Sequence, residues 1–113
     1  MTSTSQRSVT TVLGLGFVAC VAFAWRVLTF TDFQNDHFVH LARAQQLLLG
    51  DLPIRDFVDP GFPLMYFASA AAWGLWGGTP GTELFLVAGA YALAAALTFL
   101  VAHRLSGSII VAT

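Results

Sequence analysis

Long stretches without charge dominate this chain and restrict what it can fold into. Residues 8–25, 60–82 and 84–102 contain no Asp, Glu, Lys or Arg. The chain is 57% hydrophobic and only 10% charged, whereas soluble domains carry roughly 25% charged residues. An uncharged apolar segment of about 20 residues can cross the hydrocarbon core of a bilayer as a helix. The sequence therefore predicts an all-α integral membrane protein.

The uncharged stretches define the expected membrane segments. We predict an N-terminal tail over residues 1–8 and transmembrane helices over residues 9–30, 62–77 and 84–102. Arg26 lies in the first of these helices, and its long side chain can reach the interface with its charged head. Residues rich in Gly and Pro separate the second helix from the third and predict a tight turn.

The first segment has a competing interpretation as a cleaved signal peptide. Arg7 precedes the apolar run, and Ala22-Phe23-Ala24 resembles a small-residue cleavage site. The apolar run continues beyond that site without a polar break, which favours a retained transmembrane helix.

Residues 106–113 resume an apolar pattern after the polar residues around Arg104. This pattern predicts the truncated start of a fourth transmembrane helix. We therefore expect the chain to be the amino-terminal piece of a longer membrane protein and to be inactive alone.

The segment between the first two predicted spans, residues 31–61, concentrates the acidic residues. Five of the six acids in the chain are Asp32, Asp36, Asp51, Asp56 and Asp59. Water-facing chemistry is expected there because the flanking segments are apolar.

An amphipathic helix is predicted over residues 36–49, inside this acidic segment. Asp36, His40 and Arg43 follow i, i+4, i+7 spacing and share one face, opposite an apolar face. Asn35 or Asp36 is expected to cap the start of the helix and Gly50 its end. Such a helix is too short and polar to span a bilayer and suits its surface.

Four short elements, taken in order, resemble a known family. They are Asn35-Asp36-His37-Phe38, the run at 42–50 ending in Leu-Leu-Leu-Gly, Pro53-Ile54-Arg55-Asp56-Phe57, and Asp59-Pro60-Gly61-Phe62-Pro63-Leu64. The order resembles the amino-terminal part of the GT-C type membrane glycosyltransferases, which use lipid-phosphate-linked sugars. That superfamily includes protein O-mannosyltransferases and the bacterial aminoarabinose transferase of lipid A. The resemblance extends over about residues 9–107.

The resemblance implies an inverting sugar transfer from a polyprenyl-phosphate donor to an unidentified acceptor. It places the acidic segment on the extracytoplasmic side of the bacterial inner membrane, with membrane lipids as further partners. The family's candidate catalytic base maps onto Asp36. A carboxylate there can remove the proton of an acceptor hydroxyl where acceptor and membrane-borne donor meet. The resemblance also allows a divalent metal as cofactor of the full-length enzyme.

Four further residues are candidates for the same site. Arg43 and Arg55 are candidates for binding the donor phosphate, because guanidinium groups suit bidentate phosphate contacts. Asp59 and His37 are candidates for metal or substrate binding. His37 occupies a position at which the family often has a second acid, and Asp59 differs by about one residue from the family's spacing.

Each candidate also has a structural interpretation. Asp36 can serve only as a helix N-cap, worth about 1 kcal/mol. Arg55 and Asp56 can form a local ion pair of little energetic value. His37 and His40 have the spacing of a metal pair, but histidines on a surface helix are more often solvated polar positions.

The charge distribution excludes one class of partner and disagrees with the resemblance on orientation. The net charge of −1 and the five scattered arginines leave no basic surface for nucleic acid. Arg26, Arg43 and Arg55 would place the acidic segment in the cytoplasm by the positive-inside rule, whereas the resemblance implies an external segment.

Two other classes of protein remain open at this point. A small non-enzymatic membrane protein or assembly subunit could use the acidic segment to bind a partner. Part of a transporter is the other alternative, but the predicted spans contain no acid that would guide an ion.

Overall fold

The computed structural model describes residues 2–58, 61 and 63–107, which form an all-helical chain. Its helices are α1 (Thr2–Leu28), α2 (Asn35–Leu48), α3 (Pro63–Trp76) and α4 (Pro80–Ser106). Within these residues the only strand-like pairing is an isolated bridge between Pro53 and Phe57. The predicted all-α fold is confirmed.

Two helices are long and apolar enough, by length and composition, to cross a membrane. They are the Ser8–Leu28 part of α1 and the whole of α4. The second predicted span is instead the 14-residue helix α3, about 21 Å long at a rise of about 1.5 Å per residue. That length is below the roughly 30 Å of a bilayer core. The predicted count of three spans is therefore not confirmed. The predicted start of a fourth falls mainly on residues outside the described part.

The helices pack as two compact units, which are described separately. One unit contains α1 and the part of α4 that begins at Ala88. The other unit, Thr31–Val87, contains α2, α3 and the first turns of α4. The predicted site residues that the structure describes all fall within this second unit.

Helices α1 and α4 meet in an antiparallel arrangement in the first unit. The Thr11 hydroxyl lies 3.1 Å from Nε2 of His103. One turn further along α1, Gly14 lies against the ring of Phe99, which is 1% exposed. That ring stacks on His103 with 5.9 Å between centroids. The close approach exists because Gly14 has no side chain.

Helix α2 packs against α3 in the second unit, with His40 and Arg43 of its polar face inward and Asp36 exposed. Ala44 is fully buried, and His40 and Arg43 are half-buried. The predicted apolar face is outward, since Phe38 is 52% exposed and Leu49 is 78% exposed. A helix in water would adopt the opposite arrangement.

The sequence predicted the C-terminal end of α2 correctly but not its N-cap. Gln34 occupies the N-cap position without a side-chain hydrogen bond, so the prediction that Asn35 or Asp36 caps the helix is wrong. Gly50 follows the helix with φ +101°. Its N–H donates to the Leu47 carbonyl at 3.1 Å, and the next N–H, from Asp51, donates to the Gln46 carbonyl at 3.0 Å. This is a Schellman motif, which confirms Gly50 as the stop signal.

Gly14→Leu should destabilise the contact between α1 and α4. A Cβ at Gly14 would lie 2.7 Å from Cζ of the buried Phe99, whereas nothing lies within 4 Å of a Cβ at Gly16. Overpacking of this kind typically costs about 1–3 kcal/mol. We expect the free energy of unfolding in detergent to fall for Gly14→Leu and to be unchanged or higher for the matched control Gly16→Leu. Equal effects of the two variants would contradict the described contact.

Candidate functional site

A buried carboxylate, Glu83, organises the interior of the Thr31–Val87 unit. Its side chain is 1% exposed. The hydroxyl of Ser69 donates to its Oε2 at 2.8 Å, and Nδ1 of His40 lies 3.1 Å from its Oε1. A buried carboxylate is tolerated when its oxygens are hydrogen-bonded. We call His40, Ser69 and Glu83 the Glu83 cluster.

The local sequence explains why an acid is placed at this position. Helix α4 begins at Pro80, whose fixed φ suits the first helical position. The hydroxyl of the preceding residue, Thr79, accepts the N–H of Thr82 at 3.3 Å and so caps the helix. Glu83 therefore lies in the first turn, where the helix dipole favours a negative charge.

The order of contacts in the Glu83 cluster excludes a serine-nucleophile arrangement. In a catalytic triad the histidine accepts the proton of the serine hydroxyl. Here Glu83 stands between Ser69 and His40, and the serine donates to the carboxylate. The arrangement instead orients the imidazole of His40.

Aromatic contacts connect the Glu83 cluster to the Arg-Asp-Phe element. The ring of Tyr66 lies edge-on to His40, at 5.7 Å between centroids, and 6.2 Å from the ring of Phe57. The guanidinium carbon of Arg43 lies 4.5 Å from the centroid of the Phe57 ring, a cation–π contact. Tyr66 is 2% exposed and Phe57 is 8% exposed. Phe57 therefore anchors the segment after α2 onto both α2 and α3.

Asp36, the predicted base, lies in the first turn of α2 and is exposed. Within the described residues its carboxylate makes no hydrogen bond and no ion pair. It therefore has no structural partner in that part of the chain that would compete with a ligand.

Arg43 lies on the same face of α2 as Asp36 by its spacing. Its Nη1 donates to Oε1 of Gln46 at 2.7 Å. A guanidinium has five N–H donors, so Arg43 can still donate to a ligand while it packs on Phe57.

Arg55 is engaged in its own turn. Its Nε donates to Oδ2 of Asp56 at 2.8 Å, and its Nη2 lies 2.6 Å from the same oxygen. The same oxygen accepts the N–H of Leu52 at 2.8 Å, and Nη2 also reaches the Gly50 carbonyl at 3.2 Å. The expected local ion pair is therefore observed. A role for Arg55 in binding donor phosphate stays a prediction.

This turn also contains a strained residue. Ile54 has φ +72°, a left-handed conformation that a β-branched side chain rarely adopts. The backbone N–H of Ile54 donates to the Phe57 carbonyl at 2.9 Å. The hydrogen bonds of the turn and the burial of Phe57 therefore hold Ile54 in this conformation.

The remaining candidates do not form a described metal centre. The ring of His37 lies edge-on to Phe33 at 5.7 Å between centroids. Asp59 lies outside the described residues. Among the residues that are described, no group of three or more His, Cys, Asp or Glu side chains is close enough to hold a metal ion.

Sequence reasoning missed three residues of this site, namely Glu83, Ser69 and Tyr66. A signal was present for Glu83, because it is a single acid between two long uncharged stretches. An isolated acid in such a context is costly to bury and so marks a polar site. Ser69 and Tyr66 have no comparable signal.

Comparisons with known family models, with curated proteins and with solved structures found no match to this chain. The fold of the described residues defines an all-helical chain with two candidate membrane spans and one buried carboxylate that is hydrogen-bonded from two other helices.

The turn closed by Arg55 and Asp56 should loosen in acid. The hydrogen bond from Arg55, followed by that from the Leu52 N–H, lowers the pKa of Asp56 below its ordinary value. A lowered pKa in the folded state means that the stabilisation is present above the ordinary carboxyl pKa and is lost as pH falls through the lowered value. We expect the amide resonance of Leu52 to shift across that acidic range. Asp56→Asn should abolish this titration, and a titration that persists in the variant would contradict the assignment.

Proposed function

We propose that this chain is the amino-terminal, membrane-embedded part of a glycosyltransferase that uses a polyprenyl-phosphate sugar donor. One observation carries the proposal: in the Thr31–Val87 unit the Arg-Asp-Phe element packs on α2, the helix that contains the two preceding elements of the family resemblance. Helix α2 supplies Asp36 and Arg43 on one face, and Phe57 of the Arg-Asp-Phe element packs on Arg43 and on Tyr66.

Exposed apolar surface supports a membrane location. Large side chains along α1, such as Val12, Leu13 and Phe17, are each more than half exposed. Phe38 and Leu49 add the outward apolar face of α2. Apolar surface of this extent is unfavourable in water and is typical of a surface that contacts lipid or a partner. The bacterial inner membrane, with the acidic segment outside, is the location that suits the proposed donor.

The antiparallel contact of α1 and α4 favours two crossings over three. Consecutive crossings alternate in direction, so the first and third of three crossings would run parallel. Thr11 contacts His103 and Gly14 contacts Phe99, so α1 and α4 run antiparallel and not parallel. We therefore propose that α1 and α4 cross as an antiparallel pair and that α3 does not cross alone.

In the proposed reaction, Asp36 and Arg43 of α2 have separate roles. The carboxylate of Asp36 accepts the proton of the acceptor hydroxyl as the hydroxyl oxygen bonds to the anomeric carbon of the sugar. The bond from that carbon to the donor phosphate breaks, and polyprenyl phosphate leaves with the electron pair. Arg43 stabilises the negative charge on the leaving phosphate through charge-assisted hydrogen bonds.

Asp36→Asn should remove most of the sugar-transfer activity in membranes that contain the complete enzyme. Loss of a general base typically lowers the rate by about 10²–10⁴-fold, and the amide keeps the shape of the side chain. The measurement is transfer of radiolabelled sugar from the polyprenyl-phosphate donor, with membrane insertion checked separately. Asp32→Asn is the matched control, because Asp32 is exposed and, among the described residues, its side chain accepts only the neighbouring Phe33 N–H, at 2.7 Å. Near-normal turnover in Asp36→Asn would exclude Asp36 as the base.

Single-cysteine labelling should separate the two topologies. In a Cys20→Ser background, Gln34→Cys and Ser106→Cys place one thiol after α1 and one at the end of α4; both parent residues are exposed. With two crossings, a membrane-impermeant maleimide added outside intact cells should label Gln34→Cys and spare Ser106→Cys until the cells are opened. Labelling of both sites from outside would contradict two crossings and support the three-span topology.

A further inference from the structure

The Glu83 cluster defines which nitrogen of His40 carries a proton. A carboxylate only accepts hydrogen bonds. Oε2 of Glu83 already accepts the Ser69 hydroxyl, and its Oε1 lies 3.1 Å from His40 Nδ1. A proton on Nδ1 lets the second oxygen of this buried carboxylate accept a hydrogen bond as well. Nε2 is then left as the hydrogen-bond acceptor of the neutral ring.

Nε2 of His40 is not one of the fully buried, unpaired side-chain nitrogens of the described residues. The His40 side chain is 24% exposed, whereas the Glu83 side chain is 1% exposed. Within the described residues Nε2 makes no hydrogen bond. The edge contact with the buried Tyr66 and the hydrogen bond to Glu83 together hold the ring in one orientation.

His40 and Asp36 are neighbours on one face of α2. Residues four apart on a helix have Cβ atoms about 5–6 Å apart. The exposed carboxylate of Asp36 and Nε2 of His40 are therefore two hydrogen-bond acceptors within reach of one small ligand. A ligand with two adjacent hydroxyl donors fits this pair. An anionic phosphate fits poorly, because it would meet a carboxylate and an acceptor nitrogen.

We propose that Asp36 and His40 together bind two neighbouring hydroxyl groups of a sugar-type ligand, and that Glu83 is the positioning residue that keeps His40 Nε2 an acceptor. The choice of a sugar-type ligand rests on the proposed function, whereas the role of Glu83 rests on the geometry of the cluster alone. His40 is then a specificity residue that requires a hydroxyl beside the one that reacts.

The positioning role is tested by ¹⁵N NMR of histidine-labelled chain in lipid nanodiscs, at a pH at which the ring is neutral. His40→Gln identifies the His40 resonances. We expect the wild-type chain to show the Nδ1–H tautomer at His40 and Glu83→Gln to lose that preference. Ser69→Ala, which leaves the carboxylate in place, should retain it. An Nε2–H tautomer in the wild type, or an unchanged tautomer in a folded Glu83→Gln variant, would overturn the proposal. If Glu83→Gln fails to fold, the tautomer of His40 in the wild-type chain is sufficient to test the proposal.

Ligand binding is tested by titrating the same sample with methyl α-mannoside, which has adjacent hydroxyls at C2, C3 and C4, and with its 2,4-dideoxy analogue, which has no two adjacent hydroxyls. We expect the mannoside to shift the Nε2 resonance of His40 and the deoxy analogue to leave it unshifted at the same concentration. The shift should be lost in Asp36→Asn and kept in the matched control Asp32→Asn. Absence of the shift in the wild type, or an equal shift with the deoxy analogue, would overturn the two-hydroxyl site.

These outcomes are distinguishable from failure of the proposed function. Sugar transfer without a mannoside shift would reject the role of His40 in sugar binding and would still support the glycosyltransferase proposal. A mannoside shift without any transfer from a polyprenyl-phosphate donor would support the sugar site and reject the donor.

Discussion

The hydrogen-bonded carboxylate of Glu83 is the interaction on which the Thr31–Val87 unit depends. It joins three helices, because His40 belongs to α2, Ser69 to α3 and Glu83 itself to α4. Desolvating a charged carboxylate costs several kcal/mol, and leaving one of its hydrogen bonds unmade costs about 1–3 kcal/mol or more. The position of α2, and with it the placement of Asp36 and Arg43, follows from this demand for partners. The site is therefore built around a residue that does not itself reach a ligand.

Much of the secondary structure could be predicted from the sequence, because the signals are local. The predicted amphipathic helix at 36–49 is observed as α2 within one residue at each end, and Gly50 ends it by a left-handed turn. The N-cap could not be predicted in the same way, since Gln34 takes that position without a side-chain hydrogen bond. The length of α3 could not be predicted either. An uncharged stretch shows where a helix can cross but not how many of its residues become helical.

The arrangement of the site depended on contacts between distant residues, which spacing within one helix does not predict. Spacing placed His40 and Arg43 on the face of Asp36, but it did not indicate that His40 and Arg43 would pack inward while Asp36 stays exposed. The partners that turn it inward, Glu83 and Phe57, come from later in the chain. Arg43 and Arg55 looked equivalent as phosphate ligands in the sequence. The structure separates them, because Arg55 closes its own turn with the adjacent Asp56 whereas Arg43 packs on an aromatic ring.

With α2 in contact with lipid, as the proposed membrane location implies, its outward apolar face reverses the usual relation between surface position and tolerance to mutation. In a water-soluble protein an exposed Phe38 or Leu49 could be replaced by a polar residue at little cost. In lipid the same replacement would transfer a polar group into hydrocarbon, while a change from one apolar residue to another would be nearly neutral. Evolutionary drift at these positions should therefore exchange apolar residues freely and exclude charged ones. The inward face of the same helix should conserve its polar side chains instead.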